Sequence, residues 1–538
     1  MAEPRSRVRV VASGTLTVLA LLLVWGALVA PHRLGDVTPS AFVRIPLEGL
    51  VIVALAAVLP WRASRTLVGV LGVVLGLLVL VTVLDLGFFE VLDRPFDPVN
   101  DWVYLGPAYG VLGDSVGGVG AVVVSIVAAV VVLGVLVLIP LAVLRLSRLA
   151  SDHRRESVVA VTALATAWVI FAVSGASVAS LSAVGLAHDE VTLVHAGIAD
   201  RATFARTFAH DPYADTPGDQ LLTGLRGKDV LLVFVESYGR VAVQDTSYSG
   251  PVDDVLDAGT RRLRAAGFSA RSAFLTSPTF GAASWLAHST LQSGLWVNSQ
   301  QRYDQLVSRD RLTLATAFGR AGWRTVSDVP SNTHRWPEGT SFYHFDQLYD
   351  AHDVGYRGPR FSYASMPDQY TLSAFRRLEL APKARKPVMA EIDLVSSHHP
   401  WTPLPRLVDW SRVGDGSVFD AMPAEGESPD TVFRDPEMVR AAYGKSIEYS
   451  WRSLVSFVTT YPDPDLVLVV LGDHQPHTYV TGQGVGHDVP VSVIAHDPTV
   501  LQQISGWGWQ GGLRPHPDAP VWRMDSFRDR FLAAYGPH

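Results

Sequence analysis

Five long apolar runs, at 10–30, 46–61, 67–89, 118–144 and 158–184, constrain this chain more than any other feature. Most reach the ~20 residues that cross a bilayer as a helix. A cleaved leader accounts for the first run alone and leaves four others to explain. The second run is short and carries Glu48 near its start. The expectation is a domain of five transmembrane helices over 1–184, a joining stretch over 185–227, and a separate domain over 228–538. A length of 538 residues has room for both.

Positive charge sets the expected orientation. With the N-terminus cytoplasmic, the inner segments carry Arg5, Arg7, Arg9, Arg62, Arg65, Arg145, Arg148, Arg154 and Arg155, and the short outer loops only Arg33, Arg44 and Arg94. Five crossings then place everything beyond about 185 on the outer face of the cell membrane. Four crossings, with one run buried or re-entrant, would place it inside. Asp85, near the end of the third run, reads as a solvated helix end rather than a membrane-depth functional acid. The net charge of −7 and the lack of a basic tract give no sign of a nucleic-acid partner, and the absence of cysteine removes disulfides, thiolate metal sites and a Cys nucleophile.

From about 228 the pattern becomes short apolar strands between polar, helix-like stretches. Val230–Val235, Val388–Val395, Leu466–Leu471 and Val489–Ala495 read as buried strands, and Val252–Ala266, Ser373–Leu380 and Met438–Thr459 as helices. Gly414–Pro429 reads as a surface loop. This alternation implies an α/β domain with a largely parallel central sheet. In such sheets ligands bind beyond the carboxyl ends of the strands. Three strands here end in polar residues suited to metal or phosphate: Glu236, His398, and the pair Asp473–His474.

Each motif has a plain and a chemical reading. Glu236-Ser237 supplies either a hard-cation ligand or a helix cap. Gly472-Asp473-His474 offers one carboxylate and one imidazole to the same ion, with Gly472 expected to permit a tight turn. Thr279 to His288 reads as a loop entering a helix that ends near Gly294. Ser284 at its start is either an ordinary N-cap or a nucleophile set where amides and helix dipole favour an anion. His288 lies one turn further on the same face. Ser396-Ser397-His398-His399-Pro400-Trp401 is either a polar loop or a source of an imidazole for phosphate or leaving group. Asp393 is either buried structure or a second-metal ligand.

These residues resemble the membrane-anchored lipoteichoic acid synthase and phosphoethanolamine transferase group, within the alkaline phosphatase/sulfatase superfamily. The resemblance covers roughly 228–535 by motif and the remainder by topology. It implies an extracytoplasmic α/β enzyme domain that takes Glu236, Ser284, Asp473 and His474 as metal ligands, Ser284 as nucleophile where those transferases usually have Thr, and His398 in His-x-Pro-aromatic as a substrate-binding histidine. His487, before Asp488-Val489-Pro490, is matched to a later substrate-binding histidine, and His288 is grouped with the substrate-binding set. The nucleophile segment also aligns with the sulfatase signature, from Ser284 to the closing Gly294. Sulfatases need a Pro and an Arg after the residue that becomes formylglycine. Here the order is Ser284-Trp285-Leu286-Ala287-His288, so a plain Ser and phosphoryl transfer are expected.

The expected enzyme is a metal-dependent phosphoryl-group transferase or phosphodiester hydrolase working through a covalent Ser284 intermediate. Its substrate would be a phospholipid or a lipid- or glycan-linked component of the cell envelope. One divalent ion is expected; oxygen and nitrogen ligands do not choose between Mn, Zn and Mg. The alternatives are a sulfatase, a two-metal phosphatase that adds Asp393, His398 and His487, and a non-catalytic membrane scaffold.

Overall fold

A computed structural model of the chain describes residues 4–174, 178–244, 246–333 and 335–537. It divides into two compact units, 1–90 with 94–200 and 91–93 with 201–538.

The first unit is helical: α1 (Pro4–Val29), α2 (Leu47–Val58), α3 (Trp61–Leu92), α4 (Leu105–Asp152), α5 (Arg154–Val173) and most of α6 (Ser182–Phe208). Two short strands, β1 (Ile45–Pro46) and β2 (Ala179–Ser180), pair in parallel. Among the described residues, four helices are long and apolar enough to cross a membrane: Val11–Val29, Arg62–Leu92, Gly117–Asp152 and Arg154–Val173. The expected count of five is therefore corrected to four. The apolar run at 46–61 yields only the 12 residues of α2, about 18 Å of helix against a core of about 30 Å. Of the run expected at 158–184, residues 175–177 lie outside the described residues. The joining stretch expected at 185–227 is largely helical, holding most of α6 and the turns Gly218–Gln220 and Thr223–Leu225.

Glycine brings α3 and α4 together. A Cβ at Gly72 would lie 2.9 Å from Pro140 Cα, and one at Gly76 would lie 3.6 Å from the Val135 carbonyl oxygen. Small residues at such crossings let helix backbones approach where lipid supplies no hydrophobic drive. Basic side chains tie one end of the unit. Arg145 Nη2 donates to Ser13 O (2.7 Å) and Thr17 Oγ1 (3.0 Å), and Arg154 Nη2 donates to Val58 O (2.7 Å). Asp85 departs from expectation. It is buried, at 1% exposure, because the segment after α3 folds back over it and Phe96 N donates to its Oδ1 at 2.9 Å.

The second unit is built on a nine-stranded sheet: β3 (Asp229–Val235), β4 (Ser269–Thr276), β5 (Arg324–Asp328), β6 (Gln347–Tyr349), β7 (Val388–Leu394), β8 (Leu466–Gly472), β9 (Asp488–Ala495), β10 (Gln510–Gly511) and β11 (Val521–Arg523). The order is β10-β4-β9-β8-β3-β7-β5-β6, with β11 also on β4. β8, β3, β7, β5 and β6 run parallel. β9 runs antiparallel to both β8 and β4, and β10 antiparallel to β4. The sheet is thus mixed, not largely parallel. Between β8 and β9 the chain forms only a four-residue helix, Thr478–Thr481, and without a crossover helix it reverses direction. β3 and β8 are buried along their whole length, as Val- and Leu-rich strands covered on both faces must be. α7 (Ser249–Ala265) packs against the helix Pro436–Thr460, which starts with Pro at its first turn and is capped by Asp435 accepting from Glu437 N at 2.9 Å.

Candidate active site

Register creates the site. Val235 pairs with Gly472 on one side and with Leu394 on the other, so the ends of β7, β3 and β8 lie level. Glu236, Asp473 and His474 follow the last two strands directly. Their ligand atoms lie within 4.8 Å of one another, a grouping able to hold a metal ion. Gly472 serves closeness rather than turning: a Cβ there would sit 1.9 Å from the Tyr238 carbonyl oxygen.

The fourth member comes from α8 (Ser284–Ser293). Ser284 is its first helical residue and Ala283 the residue before it. Ser284 Oγ donates to Glu236 Oε2 at 3.1 Å and lies 3.3 Å from His474 Nε2. These bonds, not capping of its own helix, are what the hydroxyl makes. Ala283 holds φ at +66° and Ser237, beside Glu236, at +56°. Non-glycine residues in that region store strain of order 1–3 kcal/mol each, and such residues cluster at functional sites.

The donor set fits a divalent cation. Asp473 is 0% exposed. Its Oδ1 accepts from Ser237 N and His474 N, both at 2.8 Å, while its Oδ2 is buried with no hydrogen-bond partner. A buried carboxylate oxygen without a donor asks for a cation. His474 Nδ1 lies 2.7 Å from Gln475 O and donates to it, which turns Nε2 toward Glu236 Oε1 (3.4 Å) and Asp473 Oδ2 (3.5 Å). Burial, and then the charge of Glu236, push Asp473 up to about 6.

The other expected residues lie around this core. His398 follows β7, stacks on Tyr363 with ring centres 3.6 Å apart, and donates from Nδ1 to His399 O at 2.7 Å. Burial holds its pKa down at about 4, so it is neutral with a bare Nε2. His487 packs near Phe280, 5.3 Å between ring centres, and burial lowers its pKa as well. His288 turns from the core toward Glu391 Oε1 (3.3 Å) and Asp393 Oδ1 (3.8 Å), with its ring stacked 3.7 Å from Phe234. Burial opposes charge on His288, but Asp393 and Glu391 outweigh it and hold its pKa up at about 9. Asp393 thus groups with His288 and Glu391, and among the described residues it forms no such group with His398 and His487. Glu391 was not singled out from sequence. Its signal was there: Glu391 and Asp393 interrupt an apolar strand at alternate positions, which places both on one face.

No family model matches the chain, and no curated protein matches it. Solved structures do. The chain is similar to the lipoteichoic acid synthase LtaP from Listeria monocytogenes, at 16% identity over 51% of this chain and 66% of that one, with a TM-score of 0.34. It is similar to the C-terminal periplasmic domain of EptC from Escherichia coli in complex with Zn, at 12% identity over 57% and 82%, with a TM-score of 0.37. It is also similar to the Streptococcus pyogenes phosphoglycerol transferase GacH in complex with sn-glycerol-1-phosphate, at 11% identity over 62% and 91%, with a TM-score of 0.35. The chain spans just under two thirds of LtaP, and its function is read below from its own residues.

Proposed function

We propose that this chain is a membrane-anchored phosphoryl-group transferase or phosphodiester hydrolase with Ser284 as its nucleophile. The observation that carries this is the position of Ser284 Oγ, at the start of α8 and within reach of both Glu236 Oε2 and His474 Nε2. Glu236, Asp473, His474 and Ser284 Oγ would hold one divalent ion. Such an ion, when bound, lowers the pKa of a coordinated hydroxyl and offsets phosphate charge. The chain supplies the rest. The free amides of α8 face an incoming phosphate. Glu236 accepts the Ser284 hydrogen bond and fixes the direction of attack. Ser284 Oγ would pass its proton to Glu236 as it forms a bond to phosphorus, the bond from phosphorus to the leaving-group oxygen breaking and the departing alkoxide taking up that proton. The bare Nε2 of His398 then suits removal of the proton from the water or alcohol that resolves the phosphoserine.

The substrate in this proposal is a lipid- or glycan-linked phosphodiester at the outer membrane face. The arrangement of the first unit supports that side. α1 leaves the end where Arg145 holds Ser13, and reaches Phe42 through Trp25 Nε1, 3.0 Å from Phe42 O. The chain then passes β1 and returns along α2 to Arg154. β2, just beyond α5, the last helix apolar enough to cross, pairs with β1 at the end away from these arginines. Four helices are long enough to cross, but α2, too short to span alone, still returns the chain to the arginine end as a fifth leg; with arginines inside, the chain leaves the unit on the outer side.

The test is Ser284→Ala, expected to cost several orders of magnitude in phosphodiester turnover, with mass spectrometry of the wild-type chain after incubation with phospholipid expected to find phosphoserine at 284. Near-normal turnover by the variant would leave a bound water as nucleophile and defeat the covalent reading. Formylglycine at 284 would favour a sulfatase.

A further inference from the structure

We propose that a groove between α3 and α4, at the arginine end of the membrane unit, binds one anionic phospholipid. The groove is open along its side, has a volume of about 770 Å³ and is lined by Arg62, Arg65, Thr66, Gly69, Val73 and Leu144, among others. It belongs to the helical unit alone and is separate from the Ser284 chemistry.

Three observations select the occupant. The first is charge. Arg145 and Arg154, at the same end, are committed to backbone and hydroxyl oxygens of neighbouring helices. Arg62 and Arg65 are exposed, and among the described residues neither guanidinium has an ion-pair partner. Two guanidiniums at adjacent turns match a phosphate that accepts from both. The second is shape. Gly69 contributes no side chain, and Leu144 Cδ2 lies 3.9 Å from where its Cβ would be, so the glycine opens the groove and Leu144 forms its floor. The third is polarity along the groove. From Arg65 to Val73 the helix rises about 12 Å; the lining passes from two cations and a hydroxyl to Val70, Val73 and Val74, all exposed. That is the profile of a phospholipid, headgroup first and acyl chain behind it. A zwitterionic lipid would fill the apolar part and leave the positive charge uncompensated, whereas an anionic one satisfies both. Basic pockets between membrane helices hold such headgroups in general.

The experiment is native mass spectrometry of the full-length chain released from nanodiscs of equal phosphatidylglycerol and phosphatidylcholine. One phosphatidylglycerol per chain should be retained in preference to phosphatidylcholine. Arg62→Gln with Arg65→Gln should weaken retention roughly fivefold per arginine. Gly69→Leu should block the groove while leaving both arginines in place, so it decides the matter even if the arginine pair proves necessary for insertion. Gly87→Leu, on the same helix with nothing within 4 Å of its Cβ, should bind as the wild type does. Equal retention of both lipids, or phosphatidylglycerol retention unchanged by both the arginine pair and Gly69→Leu, would overturn the site and leave only annular lipid.

Discussion

At the scale of single residues, Asp473 does two jobs with two oxygens. Oδ1 is committed to the amides of Ser237 and His474, and Oδ2 is buried without a hydrogen-bond partner, the oxygen proposed above as the metal ligand. Two substitutions separate these roles. Asp473→Asn keeps an acceptor for the two amides, so the unit should fold with little loss of stability, yet it removes the anionic ligand and should lose bound metal. Asp473→Ala should lose the metal too, and in addition strand two buried amides at roughly 1–3 kcal/mol each. Thermal unfolding and metal content, measured together, check this. An Asn variant that keeps full occupancy would show that Oδ2 is not a ligand. Asp473, His474, Glu236 and Ser284, which the fold brings together, stand out in the sequence because each lies where a buried strand or helix abruptly meets polar chain. The sequence did not reveal where His288 points. One helical turn from Ser284 is close in sequence, but the imidazole is drawn sideways by Glu391 and Asp393, and only the β7 register puts those carboxylates there.

At the scale of elements, the four apolar strands read from sequence are all present, since continuous Val and Leu runs have few other fates. β4 and β5 went unseen. β4 opens on Ser269, Arg271 and Ser272, and β5 is only Arg324–Asp328. They are strands because paired neighbours supply what their own composition lacks. The sheet's mixed direction was hidden for a related reason: apolar pattern marks a strand but not its sense. In the membrane unit the α3–α4 crossing yields a direct forecast. Gly72→Val must push on Pro140 backbone and should destabilise the unit by about 1–3 kcal/mol, read as a lower unfolding temperature in detergent. Gly87→Val, with open space around it, is the matched comparison. Equal melting of the two would mean that α3 and α4 do not depend on close approach.

At the scale of the whole molecule, histidines bracket the pH range of stability. His398 and His399 are held near 4 by burial. An unfolded chain takes protons on both near pH 6.5 and the folded one does not, so stability falls as pH drops from about 6.5 toward 4, by at most about 1.4 kcal/mol per unit for each. His288 is held up at about 9 by Asp393 and Glu391. Its contribution is complete below about 6.5 and is lost as pH rises through 9. Burial pushes Asp393 itself up to about 8, so its own contribution also falls as pH rises; denaturation midpoints should drop on the alkaline side, and His288→Gln should change the shape of that limb. A pH profile of His288→Gln that matches the wild type would dismiss the pair. The topology is testable on the same scale. The chain has no cysteine, so Ala424→Cys, at an exposed position, gives one reporter. It should react with an impermeant thiol reagent in intact cells, and labelling only after lysis would place the second unit inside.

The site's donors are scattered along the chain, from Glu236 through Ser284 to Asp473 and His474, and are gathered only when β3, α8 and β8 are all in place. Synthesis runs from the N-terminus, so the membrane helices are complete long before the last two ligands exist. On the proposed reading of these donors as a metal site, ion capture would be the closing event of biogenesis, and a metal-loaded chain would certify that its sheet has been assembled to the end.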